Sequence, residues 1–145
     1  MSNNRHYTFL AEVFQAAPIN QRIFSGSELR LSEGSAEYRL AVKEDFFHAA
    51  MAMHGAVYFK MLDDAAYFAA ATLEQEYFIV TKSYEIHFVR PVTEGQLTAR
   101  GTVIEAREGE WLAQSEIINE HGKVVGKGQG LFVRSRQRFS DIQGS

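Results

Sequence analysis

The stretch Met53 to Leu73, MHGAVYFKMLDDAAYFAAATL, decides the fold. It is rich in Ala and Met, poor in β-branched residues and free of proline, which are the preferences of a helix. Its apolar residues run almost all round a helical wheel: Val57, Tyr58, Phe59, Met61, Leu62, Ala65, Ala66, Phe68, Ala69 and Ala70. A helix of that kind must be buried on most of its surface. Its one polar stripe is Lys60, Asp63, Asp64 and Tyr67. Taken by themselves, Asp63 and Asp64 read as a solvated face with Lys60 bridging one carboxylate across a helical turn.

A single buried helix in a small protein needs something to wrap it, and the flanking sequence supplies strands. Downstream, Tyr77 to Arg90 alternates, with Tyr84, Ile86 and Phe88 on one face and Ser83, Glu85 and His87 on the other. Pro91 and Gly95 punctuate before Leu97 to Ala106. The turn 107–110 and the hairpin turn 119–122 then separate Trp111 to Asn119 from Lys123 to Arg134. Upstream, Ile23 to Leu31 and Ala36 to Val42 flank the turn 32–35. Residues 4–17 carry Phe9, Leu10, Val13 and Phe14 at helical spacing, and Pro18 ends that helix. Ser135 to Ser145 reads as a polar, frayed tail. The expected order is helix, two strands, one long buried helix and a four-strand meander. An antiparallel sheet curled round one helix is the simplest α+β layer solution.

The 145 residues suit one domain, 1–145, and 46% hydrophobic residues suffice for a core. A net charge of -3 lacks the basic field that non-specific nucleic-acid binding wants. The chain contains no cysteine, which rules out disulfides, thiolate metal sites and cysteine nucleophiles. No histidine pairs into a metal site. Met1 to Phe9 has no apolar signal-peptide core, and no apolar run of membrane-spanning length occurs. The expectation is a cytoplasmic protein with no cofactor and no nucleic-acid or membrane partner.

The element order, with His54-Gly55 opening the buried helix and Asp63 nine residues after the histidine, resembles the hot-dog fold. More narrowly it is similar to the acyl-CoA thioesterases of the phenylacetate-degradation type. The strand Val80 to Arg90 closing on Pro91, and Gly95, Gly109 and Gly122, fall where that family puts them. The likeness runs from about Glu37 to Arg134. Three positions depart from the family pattern. His48 stands where an Asn is usual, Ala56 replaces a second glycine, and Asp64 replaces a small hydroxyl residue.

The resemblance implies hydrolysis of an acyl-CoA substrate to free acid and coenzyme A. Asp63 would be general base or nucleophile, and the helix N-terminus at Gly55 an oxyanion hole. It places His54, His48 and Thr81 with them as candidate catalytic residues. Asp64, Arg90, Arg134 and Gly109 are the candidates for substrate binding, the arginines toward the phosphates of coenzyme A. Eight residues of helix separate Gly55 from Asp63, a rise of roughly 12 Å. One chain cannot bring both to one carbonyl carbon, so a shared site requires at least a homodimer. Sheets joined edge to edge would make it, with a homotetramer as the further assembly. Two other functions compete: a non-catalytic acyl-CoA-binding module, and a dehydratase or hydratase acting on acyl thioesters.

Overall fold

A computed structural model describes residues 3–143. The central helix, α3, spans Gly55–Ala71, two residues shorter at each end than the apolar run suggests. Met53 is held instead in an isolated antiparallel bridge to Phe47. At the other end Thr72 turns its hydroxyl back to donate to Ala69 O at 2.6 Å. The same hydroxyl oxygen accepts Gly34 N–H at 2.8 Å, tying the end of the helix to a sheet turn.

Six strands form one antiparallel sheet: β1 Glu28–Ser32, β2 Ser35–Ala41, β3 Tyr77–Phe88, β4 Gln96–Arg107, β5 Glu110–Ile118 and β6 Val124–Arg138. Their spatial order is β1-β2-β4-β5-β6-β3. The hot-dog arrangement is therefore present, but the last four strands are not a simple meander. β3 crosses to the far edge and pairs with β6, while β4 pairs with β2. Sequence adjacency gave no hint of this, because both pairings are non-local.

The core lies between α3 and the sheet. Met61, Leu62, Ala65, Ala66, Ala69 and Ala70 have no exposed surface, and each large side chain so buried contributes about 1.5–3 kcal/mol. Approach is closest at Gly101 on β4, where a Cβ would stand 2.1 Å from Ala65 O. Only a bare backbone lets the strand touch the helix there.

The N-terminal helix, α1 Asn3–Ala16, packs Leu10 and Phe14 into this core. Pro18 does end it, but a second helix, α2 Pro18–Arg22, begins on the same residue. Proline's fixed φ suits a first helical position. The residues from Ile23 to Ser27 are therefore turn, not the start of β1. The loose tail expected from Ser135 is also corrected. β6 runs on to Arg138, Phe139 is buried against Phe9 and Phe78, and α4, Ser140–Gln143, follows. Gly144 and Ser145 lie outside the described residues. Among the described residues no helix is long and apolar enough to cross a membrane.

Candidate active site

The polar stripe of α3 does not face solvent. It opens on a cavity of about 310 Å³ between α1, α3 and β3. Leu10, Phe14, Phe68, Phe78, Ile79 and Phe139 give it an apolar wall, and Lys60, Asp63, Asp64 and Thr81 share its lining. Thr81 Oγ1 donates to Asp63 Oδ1 at 2.9 Å. Burial is the largest influence on this carboxyl and pushes its pKa up to about 6. The Thr81 bond and the Lys60 charge oppose that rise, and Asp64 adds to it. A carboxylate so placed is ionised at neutral pH yet basic enough to take a proton.

Thr81 reaches Asp63 because β3 carries an irregularity. The register with β6 slips between Thr81 and Ser83, so Lys82 is the extra residue. An inserted residue reverses which side chains face inward. Ile79 and Thr81 face the helix before the bulge, and Tyr84 and Ile86 after it. Simple alternation along the strand cannot predict that switch.

Asp64 has a different environment. Its Oδ2 is ion-paired with Lys60 Nζ, which also donates to Asn20 Oδ1 at 2.8 Å. The ammonium lies over the rings of Phe14, Phe24 and Tyr38, at 5.6, 5.0 and 4.9 Å from their centroids. Burial raises the Asp64 pKa and Lys60 pulls it back. This pair fastens α2 to α3 beside the cavity. The expected bridge from Lys60 to one carboxylate exists, but it is half-buried rather than on a solvated face.

His48, Gly55 and Arg90 line a second hollow of about 460 Å³, at the other end of the helix, and the His54 ring stands 6.3 Å from that of His48, centroid to centroid. His54 is the N-cap of α3: its Nδ1 accepts Ala56 N–H at 2.9 Å. Its carbonyl accepts Val57 N–H, also at 2.9 Å. That leaves Gly55 N–H with no acceptor among the described residues, at the positive end of the helix. His48 Nδ1 accepts Ala50 N–H at 3.1 Å, so its neutral ring carries the proton on Nε2. A tight turn holds that histidine, with Met51 N–H on His48 O at 2.8 Å and Met51 at φ 64°. Arg90 contributes its carbonyl, which accepts the Tyr58 hydroxyl at 2.7 Å.

Arg134 and Gly109 join neither group. Gly109 O accepts Arg134 N–H at 3.0 Å at the opposite end of the sheet. The Arg134 guanidinium is engaged by Glu74, at 2.8 and 2.9 Å, and by Glu108 at 3.2 Å. Its donors are committed to structure. Among the described residues no group of three His, Cys, Asp or Glu converges as a metal site. Sequence reasoning missed α1 as a cavity wall. The available signal was its apolar stripe, Phe9, Leu10, Val13 and Phe14, which must be covered by something.

A family profile described as Thioesterase superfamily matches residues 52–125, a span that holds α3, β3, β4 and β5, and with them Gly55, Asp63 and Thr81. The chain belongs to that superfamily, whose general chemistry is thioester hydrolysis. Among solved structures, the Escherichia coli PaaI protein of the phenylacetic acid degradation operon superposes with a TM-score of 0.83 at 20% identity. That match covers 94% of this chain and 97% of PaaI. The Haemophilus influenzae thioesterase HI1161 superposes with a TM-score of 0.75 at 20% identity, covering 88% of each chain. By sequence, the Saccharolobus solfataricus protein SSO2140 is 24% identical over 129 residues, 89% of this chain and 92% of its own length.

Proposed function

We propose that this protein hydrolyses an acyl-CoA thioester at sites shared between two copies of the chain. The observation that carries the reading is the separation of two complementary half-sites on one helix. Asp63, half-buried and held by Thr81, lines an apolar cavity. The free N–H of Gly55 lies eight residues away, roughly 12 Å along the axis. A two-fold pairing of α3 with its copy brings the Gly55 end of one chain to the Asp63 of the other. β3 supports this pairing. Among the described residues it pairs only with β6, and Val80, Phe88 and Val89 at that edge are 45–59% exposed. An edge so apolar favours pairing with another strand. Two such dimers can assemble into a tetramer without altering the sites.

The acyl group then occupies the cavity, and the thioester carbonyl oxygen accepts Gly55 N–H. Asp63 takes the proton from a water whose oxygen bonds the carbonyl carbon, or attacks that carbon itself. In either route the carbon–sulfur bond breaks, coenzyme A leaves as thiolate, and the oxyanion charge is met by the helix N-terminus; in the second, water then cleaves the acyl-Asp63 anhydride to release the free acid and restore the carboxylate. In this reading Arg90, which lines the Gly55 hollow, meets the phosphates of coenzyme A. Such a reaction fits a cytoplasmic setting, where coenzyme A is available.

A panel of acyl-CoA substrates tests the reading. Expected is release of coenzyme A with at least one acyl group, and a kcat/KM that rises through about pH 6 as Asp63 loses its proton. Only the ionised form is base or nucleophile, so activity lies above that pH and fades below it. Tight binding of acyl-CoA with no turnover would establish the non-catalytic alternative.

His48 gives a second expectation. With Nδ1 occupied, neutral His48 offers Nε2–H as the one donor that an Asn amide would supply. His48→Asn should keep kcat within about threefold, whereas His48→Ala should lose roughly tenfold, the scale of one weak hydrogen bond. Equal rates for parent and both variants would remove His48 from the site.

A further inference from the structure

Ser115 is buried at 5% exposure on β5, between the fully buried Ala113 and Ile117. An apolar residue would fill that place at no cost in desolvation. Its hydroxyl donates to Leu62 O at 2.7 Å. The Tyr84 hydroxyl reaches the same oxygen at 3.3 Å and also hydrogen-bonds Ser115 Oγ. Leu62 lies inside an unbroken helix, where its carbonyl already accepts a backbone N–H. The two hydroxyls therefore satisfy nothing the helix lacks. They fix the peptide unit that joins Leu62 to Asp63.

Tyr84 is brought there by a built slot. On β6, glycine occupies the alternate positions 126, 128 and 130. A Cβ on Gly128 or Gly130 would come within 2.6 or 2.4 Å of the Tyr84 ring. Phe59 closes the slot edge-on, with ring centroids 5.7 Å apart. The bulge at Lys82 sets the parity that points Tyr84 inward, as it does for Thr81.

We propose that Ser115 and Tyr84 are positioning residues for the reaction, a clamp from two strands that holds the backbone carrying Asp63 while Thr81 holds its carboxylate. This rests on the reading of Asp63 as base or nucleophile. The clamp touches no reacting atom. It limits the motion of a group whose placement to within about half an ångström governs the rate. The charged and titratable groups around Asp63 are Asp64, Lys60 and Tyr67 on α3 and Tyr84 on β3. Burial raises the Tyr84 pKa to about 12, so its hydroxyl stays a neutral donor throughout the working range.

Ser115→Ala and Tyr84→Phe test this, each measured against parent for kcat, KM and the acid limb of the pH profile. Each should lower kcat about tenfold and leave KM within twofold. The acid limb should move up, because a looser Asp63 loses part of the Thr81 bond that holds its pKa down. The double variant should lose little more than either single one, since both hydroxyls act on one carbonyl. Lowered melting temperature with parental kcat and pH limb would overturn the proposal and leave the pair purely structural. A fall confined to KM would overturn it too. Should Ser115→Ala fail to fold, Tyr84→Phe, which keeps the ring in its slot, is sufficient to separate these outcomes. If parent and Asp63→Asn turn over equally, it is the role of Asp63 that fails, a result distinct from a parental Ser115→Ala.

Discussion

Asp63→Asn is expected to cut kcat by about 10²–10⁴-fold, the range of a lost general base. The substitution is isosteric, and Thr81 Oγ1 can donate to the amide oxygen as it does to Asp63 Oδ1. Stability should move the other way. The folded Asp63 has its pKa raised from 3.8 to about 6, chiefly by burial. The folded protein thus binds the proton more tightly than the unfolded chain, and stability declines as pH rises from about 4 to about 6. Above pH 6 the cost is complete, on the order of 2–3 kcal/mol, since one unit is about 1.4 kcal/mol. Asparagine carries no such cost. The variant should therefore melt higher than parent at pH 7 and no higher at pH 4. An inactive variant that also melts lower at pH 7 would point to misfolding, and an active one would remove Asp63 from the mechanism. Stability given up at a buried acid is what a site that needs a basic carboxylate requires.

Gly55→Pro is expected to cost about 10²–10³-fold in kcat, the effect of removing one oxyanion donor. Proline deletes the N–H and nothing else the helix uses. Gly55 is the first residue of α3, where proline is favoured. His54 before it sits at φ -66° and ψ 144°, a conformation that a following proline accepts. A side chain at this position meets the Phe88 ring at 3.2 Å, so Gly55→Ala controls for crowding with the N–H retained. Phe88 is 59% exposed and its ring can yield. Alanine near parental activity with proline inactive isolates the donor. Equal losses in both would show that space, and not the N–H, is what Gly55 provides.

The buried helix was legible because its composition left it one role. Residues 55–71 are apolar on nearly every side, and the only way to hide them is inside a curved sheet. The strands were legible from alternation and from their glycine and proline boundaries. Strand order was not, because β3–β6 and β2–β4 pairing leaves no local mark. The Lys82 bulge was equally silent, and with it the inward turn of Thr81 and Tyr84. The His54-Gly55 and Asp63 spacing nominated the two ends of the helix. Which polar groups accompany each end depended on tertiary packing. Asp64 and Lys60 look like a surface pair in sequence and are half-buried because α1 and α2 cover them. Arg134, a strand-end cation in sequence, is taken up by Glu74 and Glu108, two acids from other elements. The glycines at 126, 128 and 130 on β6 carry no meaning that the sequence alone discloses. In the fold they make room for tyrosine rings.

The proposed active unit joins Gly55 of one chain to Asp63 of its copy. Co-expressing Asp63→Asn and Gly55→Pro chains with different affinity tags, and purifying the doubly tagged assembly, tests this pairing. Each variant alone has every site broken. In the mixed dimer one site pairs an intact Gly55 with an intact Asp63, and the other carries both changes. Recovery of about half the parental activity per dimer is the expected result. A doubly tagged dimer as inactive as either variant would contradict it, since sites contained within one chain gain nothing from mixing.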